Sequence, residues 1–468
     1  MMLSSSYNAY KPIPDTPPPR FDHVQATRSW RIQVALINSM EFAAESSRGI
    51  VMPTLFLYCQ SVGGTLADMG ILMSIFSIGR LVSSMVFGYL CDRPGASFRF
   101  VYMVSLAIGV VGNIMYLLAD SHVANSKTLL VVSRFIVGVG AGNRSVCRAD
   151  IARLTSMDQR LTYLTLLSTV VFLGYALTPG LGEVFVGVNF TLVGGISIHE
   201  LNDPGLVMAA FDFVLAICMW RGYSEVLHAS IPPPSSMDTS SMNVVVHAPT
   251  EGSNTTGDDV VDEELSTRLF YFGVAVFVGL NIIGRGVLSI FETISVPLYL
   301  DVTRLSGDQA VASASAFQFN MGLLGLLSYL AIMVCRRKVA DSGWLLLGLA
   351  AMVVGNGLLF FLWPLSFNEM ALGIFFVWSV GSPLITTVSL AAFSKILGSR
   401  QQGTWMGILG SSASMSRIVL PLLPALFDTF APLFVVSLIM AVVGMASLHG
   451  FHTLVTQAKA KRANRERV

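Results

Sequence analysis

Residues 281–301 combine an apolar stretch with charged side chains that could bind a solute or an ion. The stretch reads NIIGRGVLSIFETISVPLYLD and carries Arg285, Glu292 and Pro297. An ionisable side chain inside a membrane span costs at least ~2.5–3.5 kcal/mol, so such residues are usually paired or turned towards a water-filled cavity. Arg285 and Glu292 are two helical turns apart, so we expect both to point the same way, together with Asn281.

The first apolar stretch, residues 32–59, repeats this arrangement with the charges exchanged. Arg48 lies five residues before Pro53, just as Glu292 lies five residues before Pro297. This shared spacing indicates two halves built on one plan, and such repeats in transporters pack about a pseudo-twofold axis. The charges of the two stretches would then meet near the middle of the membrane. The alternative is a chance match in which each charge belongs to a separate structural pair.

The first stretch also carries two acidic residues. Glu41, Glu45 and Arg48 follow one another at i, i+4 and i+7, so they share one helix face. Arginines can hold an anionic group because guanidinium grips carboxylate or phosphate with two hydrogen bonds and stays protonated. Buried carboxyls beside arginines are candidates to bind and release a proton. We predict substrate binding by Arg48, Arg285, Asn281 and Glu292, and proton coupling by Glu41, Glu45 and Glu292.

The composition places most of the chain in lipid. The 468 residues are 53% hydrophobic and 12% charged, whereas about 25% of residues are charged in a typical soluble domain. Five cysteines are scattered without CxxC or Cys/His spacing, so we expect neither a disulfide framework nor a metal site. The sequence shows no nucleophile elbow, HExxH or phosphate loop, so we expect no enzyme, no cofactor and no nucleic-acid partner.

Twelve apolar stretches are each long enough, at about 20 residues, to cross a hydrocarbon core of about 30 Å. Six precede and six follow a Ser/Pro/Asp-rich linker. We therefore predict an all-α membrane protein with twelve transmembrane helices in two six-helix bundles. The predicted divisions are a disordered tail at 1–28, a first bundle at 29–222, an acidic linker at 223–266, a second bundle at 267–452 and a basic tail at 453–468.

Lysine and arginine are concentrated on one side of the predicted spans. By the positive-inside rule that side is cytosolic, so both termini and the linker face the cytosol. The Asn189 sequon then lies in a lumenal loop, where Asn189 could carry a glycan. Residues Tyr10–Ile13 fit the Tyr-x-x-bulky pattern that sorting adaptors read on endosomal and lysosomal proteins.

The connection between the second and third spans carries the most specific motif. It reads Gly88-Tyr-Leu-Cys-Asp92-Arg93-Pro-Gly95-Ala-Ser-Phe-Arg99. The glycines permit a tight reversal, Asp92 can interact with helix N-terminal amides, and the arginines can clamp acidic partners. We predict a conformational latch between moving helix bundles, with an ordinary basic turn as the alternative. The motif resembles the G-x-x-x-D-R-x-G-x-x-x-R signature of the major facilitator superfamily.

The fourth span adds Arg134 and a ladder of glycines at 138, 140 and 142. Small residues let a helix approach its neighbour closely. Arg134 with this ladder resembles the superfamily's R-x-x-x-G motif, whose arginine is often tied to proton coupling. The resemblance therefore adds Arg134 to the predicted proton-coupling residues, although close packing alone would explain the glycines.

Two further stretches narrow the resemblance. They are FETISVPLYLD at 291–301 and SKILGSRQQGTWMG at 394–407. Together with Gly140-Ala-Gly142-Asn143 they look like the major facilitator superfamily domain-containing protein 8 family. That family is lysosomal, is affected in one neuronal ceroid lipofuscinosis, and is related to vacuolar phosphate carriers with SPX domains. The resemblance implies an endolysosomal or vacuolar location and a protein reported to pass chloride.

These features together predict a secondary active transporter that works by alternating access and is coupled to protons. Acidic and basic residues of the expected cavity nearly balance, which suits a small anionic or zwitterionic solute. The alternatives are a chloride channel lined by the same arginines and a non-transporting receptor. We expect a monomer in an endolysosomal or vacuolar membrane, or alternatively the plasma membrane, whose partners are the solute, the lipid bilayer and sorting adaptors.

Overall fold

A computed structural model describes most of the chain and shows it to be almost entirely helical. The described residues are 23–91, 97–120, 125–155, 157–181, 190–191, 197–225, 257–306, 308–335, 338–397 and 402–465. The predicted tail at 1–28 and linker at 223–266 lie largely outside these ranges, as do residues Tyr10–Ile13.

The N-terminal half contains eight helices and one short hairpin within the described residues. Two of its spans are interrupted by a 3₁₀ turn, at Ala141–Asn143 and at Thr178–Gly180. The hairpin strands β1 (Phe190–Thr191) and β2 (Ser197–Ile198) are antiparallel. The helices are α1 (His23–Gly49), α2 (Met52–Ser61), α3 (Leu66–Cys91), α4 (Phe98–Leu117), α5 (Ser126–Gly140), α6 (Arg144–Leu154), α7 (Met157–Leu177) and α8 (Asp203–Gly222).

The C-terminal half follows the same order with different interruptions. Its fourth span contains a π-helical segment at Phe375–Gly381, and its fifth ends in a 3₁₀ segment at Leu420–Leu426. The helices are α9 (Gly257–Thr303), α10 (Asp308–Cys335), α11 (Asp341–Phe361), α12 (Phe367–Ile374), α13 (Ser382–Leu397), α14 (Gln402–Val419) and α15 (Ala431–Arg465).

Ten helical segments in the described ranges are long and apolar enough to cross a membrane. The first and fifth predicted spans do not meet that measure. The first is depleted in apolar character by Glu41, Glu45 and Arg48, which are all buried in α1. The fifth is represented among the described residues by a shorter apolar helix, Thr169–Gly180. A charged face therefore lowers the hydropathy of a helix that other helices shield from lipid.

Two helices differ in how they accommodate proline at matching positions. The first span is interrupted between α1 and α2, and Pro53 stands in the first turn of α2, where no backbone N–H is needed. By contrast, α9 continues through Pro297 to Thr303. The helix also begins at Gly257 rather than at the expected residue 267, so it extends well beyond the apolar stretch.

Close backbone packing holds the N-terminal half together. A methyl group at Gly138 of α5 would overlap the Phe76 carbonyl oxygen of α3. On the other side of α5, a Cβ at Gly140 would lie 2.8 Å from the backbone of Gly109 in α4. Three spans thus share one tightly packed seam, as the glycine ladder predicts.

The two halves meet on the side of the membrane where α2 ends, which we call the Ser61 side. There Ser74 of α3 donates a hydrogen bond to the Ile418 carbonyl of α14 at 2.7 Å, and Gly70 lies against the Pro421 backbone. A second seam brings Gly180, after α7, against the Phe319 ring of α10. These contacts close the Ser61 side. We call the opposite side, where α3 ends, the Cys91 side.

Candidate functional site: a central charge cluster

A buried ion pair joins the first and seventh spans at the middle of the protein. Arg48 of α1 donates through Nη2 to Oε2 of Glu292 on α9, and both residues are at least 98% buried. Tyr175 of α7 donates to Glu292 Oε1 at 2.8 Å, and Arg417 of α14 approaches the same oxygen at 3.3 Å. Glu292 therefore accepts from three helices, two of them in the N-terminal half, and links the halves directly.

A second group of charges lies within the N-terminal half. Arg80 of α3 donates to Glu45 of α1. Arg144, the first residue of α6, lies 2.9 Å from Glu41 Oε1 and 3.5 Å from Glu45 Oε1. The i, i+4 spacing of the two glutamates brings both to one guanidinium. The acidic face of α1 is thus neutralised by α3 and α6.

Arg285 differs from the other central arginines. Its side chain is half-buried, and no carboxylate among the described residues forms an ion pair with it. Its electrostatic neighbours include Arg417, Arg144 and Arg148, which are all cationic. Along α9, Arg285 lies two turns before Glu292 and is therefore nearer the Cys91 side. Tyr329 is a further electrostatic neighbour. None of these neighbours is a carboxylate, so an anion could share the charge of Arg285.

The net charge at the centre is therefore positive. The sequence predicts instead that acidic and basic residues nearly balance there. Three arginines that the sequence did not assign to the cavity account for the difference. An excess of fixed guanidinium charge favours an anionic solute over a zwitterion. The central arginines are Arg48, Arg80, Arg144, Arg285 and Arg417, and the central glutamates are Glu41, Glu45 and Glu292.

Two predicted residues lie away from this cluster. Asn281 is buried against α14, where its amide donates to the Leu409 carbonyl at 2.7 Å. Arg134 is 99% buried; its Nη1 donates to the Ser47 carbonyl at 3.4 Å, and its guanidinium covers the Phe76 ring at 4.8 Å. Both side chains are engaged by their own half, so the structure does not place them beside Glu292.

The predicted latch can be described only at its two ends, because Asp92, Arg93 and Gly95 lie outside the described residues, as does Asn189. Gly88 is in α3. The Arg99 guanidinium stacks on the Trp220 ring at 4.6 Å and donates to the Trp220 carbonyl. This contact ties α4 to the end of α8 within one half.

Sequence reasoning missed Arg417 and Tyr175 as members of the site. Arg417 is an ionisable residue inside an apolar span, so the rule that identifies Arg48 and Arg285 would also have found it. Tyr175 gives no such signal because tyrosine is common in membrane helices. Its role is visible only in the structure, where the ring also stacks 6.0 Å from that of Trp378.

The sequence matches a known family over most of its length. Residues 37–339 fit the pattern of the Major Facilitator Superfamily. The chain belongs to the Major Facilitator Superfamily. This membership, with the almost entirely helical structure and its ten apolar spans among the described residues, confirms the predicted fold and makes the protein a multi-pass membrane transporter.

Several known proteins are similar to this chain in sequence. The major facilitator superfamily domain-containing protein 8 of Xenopus laevis is 24% identical over 487 aligned positions, which cover 90% of each chain. The quinolone resistance protein NorA of Staphylococcus aureus is 24% identical over 81% of this chain and 86% of that protein. An SPX domain-containing membrane protein of Oryza sativa subsp. indica is 28% identical over 38% of this chain and 24% of its own length. These similarities confirm the predicted family resemblance.

Solved structures share this architecture. The nucleoside transporter NupG superposes with a TM-score of 0.61 at 12% identity, covering 90% of this chain and 99% of that one. A bacterial homologue of the human lysosomal transporter Spinster, solved in an inward-facing and unoccupied conformation, superposes with a TM-score of 0.58 at 13% identity, covering 94% and 96%. At these identities the likeness establishes the fold.

Proposed function

We propose that this transporter moves a small anionic solute, or a zwitterion with an exposed acidic group, by alternating access coupled to protons. The observation that carries the proposal is the state of Arg285. It lies at the centre of the protein, forms no ion pair with a carboxylate among the described residues, and has Arg417 and Arg144 among its electrostatic neighbours. Keeping an unneutralised guanidinium there is costly unless a ligand shares its charge.

The shape of the centre supports a carrier. The contacts of Gly70 with Pro421 and of Gly180 with Phe319 close the Ser61 side, while the exposed Arg148 lies beyond the cluster on the Cys91 side. A solute could therefore reach Arg285 from one side only in this conformation. Rocking of the halves about the Arg48–Glu292 pair would open the other side.

Glu292 is the coupling group in this proposal. When ionised, Glu292 pairs with Arg48 and Arg417, so neither guanidinium is available to bind the solute. A proton on Glu292 would weaken both ion pairs, free two guanidiniums and raise the affinity of the centre for an anion. Acidity on the proton-donating side should therefore accelerate transport, and the effect should disappear where residue 292 cannot ionise.

The experiment compares flux in proteoliposomes containing wild-type protein and the variants Glu292→Gln, Arg285→Gln and Arg304→Gln. Labelled chloride, phosphate and glutamate serve as test solutes, each with and without an inward proton gradient. We expect wild-type flux to rise with the gradient, Glu292→Gln to be insensitive to it, and Arg285→Gln to lose at least about tenfold in flux, since a charge-assisted bidentate contact is lost. Arg304 is 80% exposed and pairs with Asp301, so its substitution is the control.

A rise in Glu292→Gln flux with the proton gradient equal to that of the wild type would reject Glu292 as the coupling group. Unchanged flux in Arg285→Gln for every transported anion would reject the substrate site.

A chloride channel is the second candidate, because the same excess of arginine favours a small inorganic anion. The closed Ser61 side favours a carrier over an open pore. Recording of planar bilayers containing the protein separates the two: a channel gives discrete chloride currents without a proton gradient, whereas a carrier does not.

We also propose an endolysosomal or vacuolar membrane as the location, with both termini in the cytosol. The distribution of lysine and arginine supports the orientation, and the pattern at Tyr10–Ile13 supports sorting to these membranes. Microscopy of a C-terminally tagged chain against a lysosomal marker tests the location, and an exclusive plasma-membrane signal would contradict it.

A further inference from the structure

A small cavity lies inside the N-terminal half, on the face of α1 that points away from the central cluster. It is bounded by α1, α4, α5 and α8 and has about 10 Å³ of space for the centre of a water-sized sphere. That is room for one water molecule or one ion of similar size. Alanine, glycine, leucine and valine form most of the wall. The polar lining consists of Ser47, Ser105, Asn143 and Asp212.

Asp212 of α8 is the acidic group at this cavity. Its side chain is buried, with 4% exposure, and its Oδ2 accepts a hydrogen bond from Asn113 Nδ2 at 3.0 Å. No ion pair joins it to a cationic residue in the part of the chain that the structure describes, whereas Glu41, Glu45 and Glu292 each contact an arginine. A buried carboxylate without a counter-charge is costly, so it takes up a proton or binds a cation.

Asn143 adds an acceptor that lacks a donor. It is 97% buried, and its Nδ2 donates to Ser105 Oγ at 2.9 Å, while its Oδ1 has no hydrogen-bond partner. Ser105 in turn donates to the Gly140 carbonyl at 2.6 Å. The amide orientation is consistent with this network, because Ser105 has already committed its proton. A residue whose carbonyl oxygen lacks a hydrogen-bond partner therefore lines the same cavity as Asp212.

The cavity also lies at an interruption of the fourth span. α5 ends at Gly140, and the 3₁₀ turn Ala141–Asn143 separates it from α6. The helical path continues through this turn, and the Gly140 carbonyl already accepts from Ser105 Oγ. The amide oxygen of Asn143 and the Asp212 carboxylate are therefore the two groups that favour a positive charge at the cavity.

We propose that this cavity binds a small monovalent cation, either Na⁺ or a hydrated proton. Asp212 supplies the counter-charge, and Asn143 Oδ1 and Ser105 Oγ are neutral ligands. The site deepens the proposed function, since it would supply a coupling ion, but its occupancy can be measured without any transported solute.

Most charged and titratable groups on the surrounding helices are engaged away from the cavity. On α1 the glutamates and Arg48 pair with arginines and Glu292 in the central cluster. On α5, Arg134 covers the Phe76 ring and donates to the carbonyl of Ser47, so it is the cationic side chain that borders the cavity wall, and it forms no ion pair with Asp212 among the described residues. On α4, the Tyr102 and Tyr116 hydroxyls donate to Asp150 and to the Leu201 carbonyl. Their engagement leaves Asp212 as the titratable group at the cavity.

The C-terminal half provides an internal comparison. Asn356 in α11 follows a glycine, as Asn113 does in α4, and α11 packs on α15 as α4 packs on α8. Eight residues after the proline that opens each last helix stands Asp212 in one half and Met440 in the other. The equivalent position of the second half therefore has no carboxylate, and Asn356, a buried asparagine in the other half, provides a control for the loss of a buried amide away from the cavity.

The test measures the thermal unfolding midpoint of the purified full-length protein in detergent. Wild type, Asp212→Asn, Asn143→Ala and Asn356→Ala are each measured in NaCl, in choline chloride, and in choline chloride at mildly acidic pH. A ligand that binds only the folded state raises the midpoint. We expect Na⁺ or acid to raise the wild-type midpoint by about 2 °C or more, Asp212→Asn to lose that rise, Asn143→Ala to show a smaller one, and Asn356→Ala to keep it.

A response to Na⁺ at neutral pH identifies sodium, and a response to acid alone identifies the proton. Equal responses of the wild type and Asp212→Asn to both conditions would overturn the site. Because Asp212→Asn keeps the side-chain shape and its hydrogen bond to Asn113 can be retained through Oδ1, its fold is expected to survive. A failure of this test would leave the central anion site and its flux assay unaffected.

Discussion

Glu292 links the two halves, because its carboxylate contacts donor side chains from α1, α7 and α14. Its removal and the removal of Arg48 are therefore not equivalent changes. Without Arg48, Glu292 keeps Arg417 and Tyr175. Without the carboxylate, two buried guanidiniums lose their ion pair at once.

We therefore expect Glu292→Gln to lower the stability of the folded protein more than Arg48→Gln. Leaving one buried charge without its partner costs about 3–5 kcal/mol, and removing both partners together is often close to neutral. The midpoint of thermal unfolding in detergent should fall most in Glu292→Gln, less in Arg48→Gln, and less in the double variant than the sum of the two.

Arg304→Gln serves as the control here too, since an exposed pair with Asp301 contributes little. A strictly additive double variant, or a greater loss for Arg48→Gln, would show that Glu292 does not organise the cluster.

Some residues of the central cluster could be predicted from the sequence, and others could not. Arg48 and Glu292 meet as expected because intramembrane charge and a repeated spacing both pointed to them. Helical periodicity predicts that Asn281 shares one face of α9 with Arg285 and Glu292. Periodicity does not show which neighbouring helix packs against each residue of that face, and α14 packs against Asn281. The roles of the named site residues in binding and coupling stay predictions until flux is measured.

The glycine seam among α3, α4 and α5 is the feature that most constrains the helices. Gly138 leaves no room for a side chain, because a methyl group there would overlap the Phe76 backbone. Backbone atoms cannot move aside as a flexible side chain can. The seam therefore fixes the distance between α3 and α5.

We expect Gly138→Ala to destabilise the protein by about 1–3 kcal/mol, the usual cost of overpacking a well-filled interior. Gly279 of α9 is the matched control, since no atom outside its own helix lies within 4 Å of an added Cβ. Fluorescence-detected size exclusion after heating reports the surviving fraction of each variant. Equal survival of Gly138→Ala and Gly279→Ala would contradict the seam.

Helix positions followed from hydropathy, because lipid imposes length and apolar character on each span. The points at which the helices are interrupted could not be predicted from hydropathy. Pro53 and Pro297 occupy matching sequence positions, yet the first span breaks and α9 continues. Proline in a membrane helix is tolerated when neighbouring groups satisfy the freed carbonyl, so the outcome depends on packing that a single sequence does not display.

At the scale of the whole molecule, closure of the Ser61 side and a positive centre define one state of a cycle. The seam between Gly180 and Phe319 must separate if that side is to open. A Cβ at Gly180 would lie 2.9 Å from Cγ of Phe319. The two Cβ atoms are therefore within about 4.5 Å, which a disulfide can span.

We expect the pair Gly180→Cys with Phe319→Cys to form a disulfide under mild oxidation and to stop flux of whichever test anion the wild type carries. Reduction should restore it. Flux in proteoliposomes before and after oxidation measures the effect, and a mass shift after thiol labelling confirms the bond.

The two single-cysteine variants control for the five native cysteines, of which Cys218 is exposed. Full flux through the cross-linked protein would mean that the halves need not separate on the Ser61 side, which would favour a fixed pore over a carrier.

The length of α9 has a mechanical consequence. Its 47 residues span about 70 Å at about 1.5 Å per residue, more than twice a hydrocarbon core of about 30 Å. A continuous rod therefore connects Glu292 with a point well outside the bilayer. A protein that binds the Gly257 end of α9 could shift the helix that carries Glu292. Transport could then be slowed from the aqueous phase without an inhibitor entering the solute pathway.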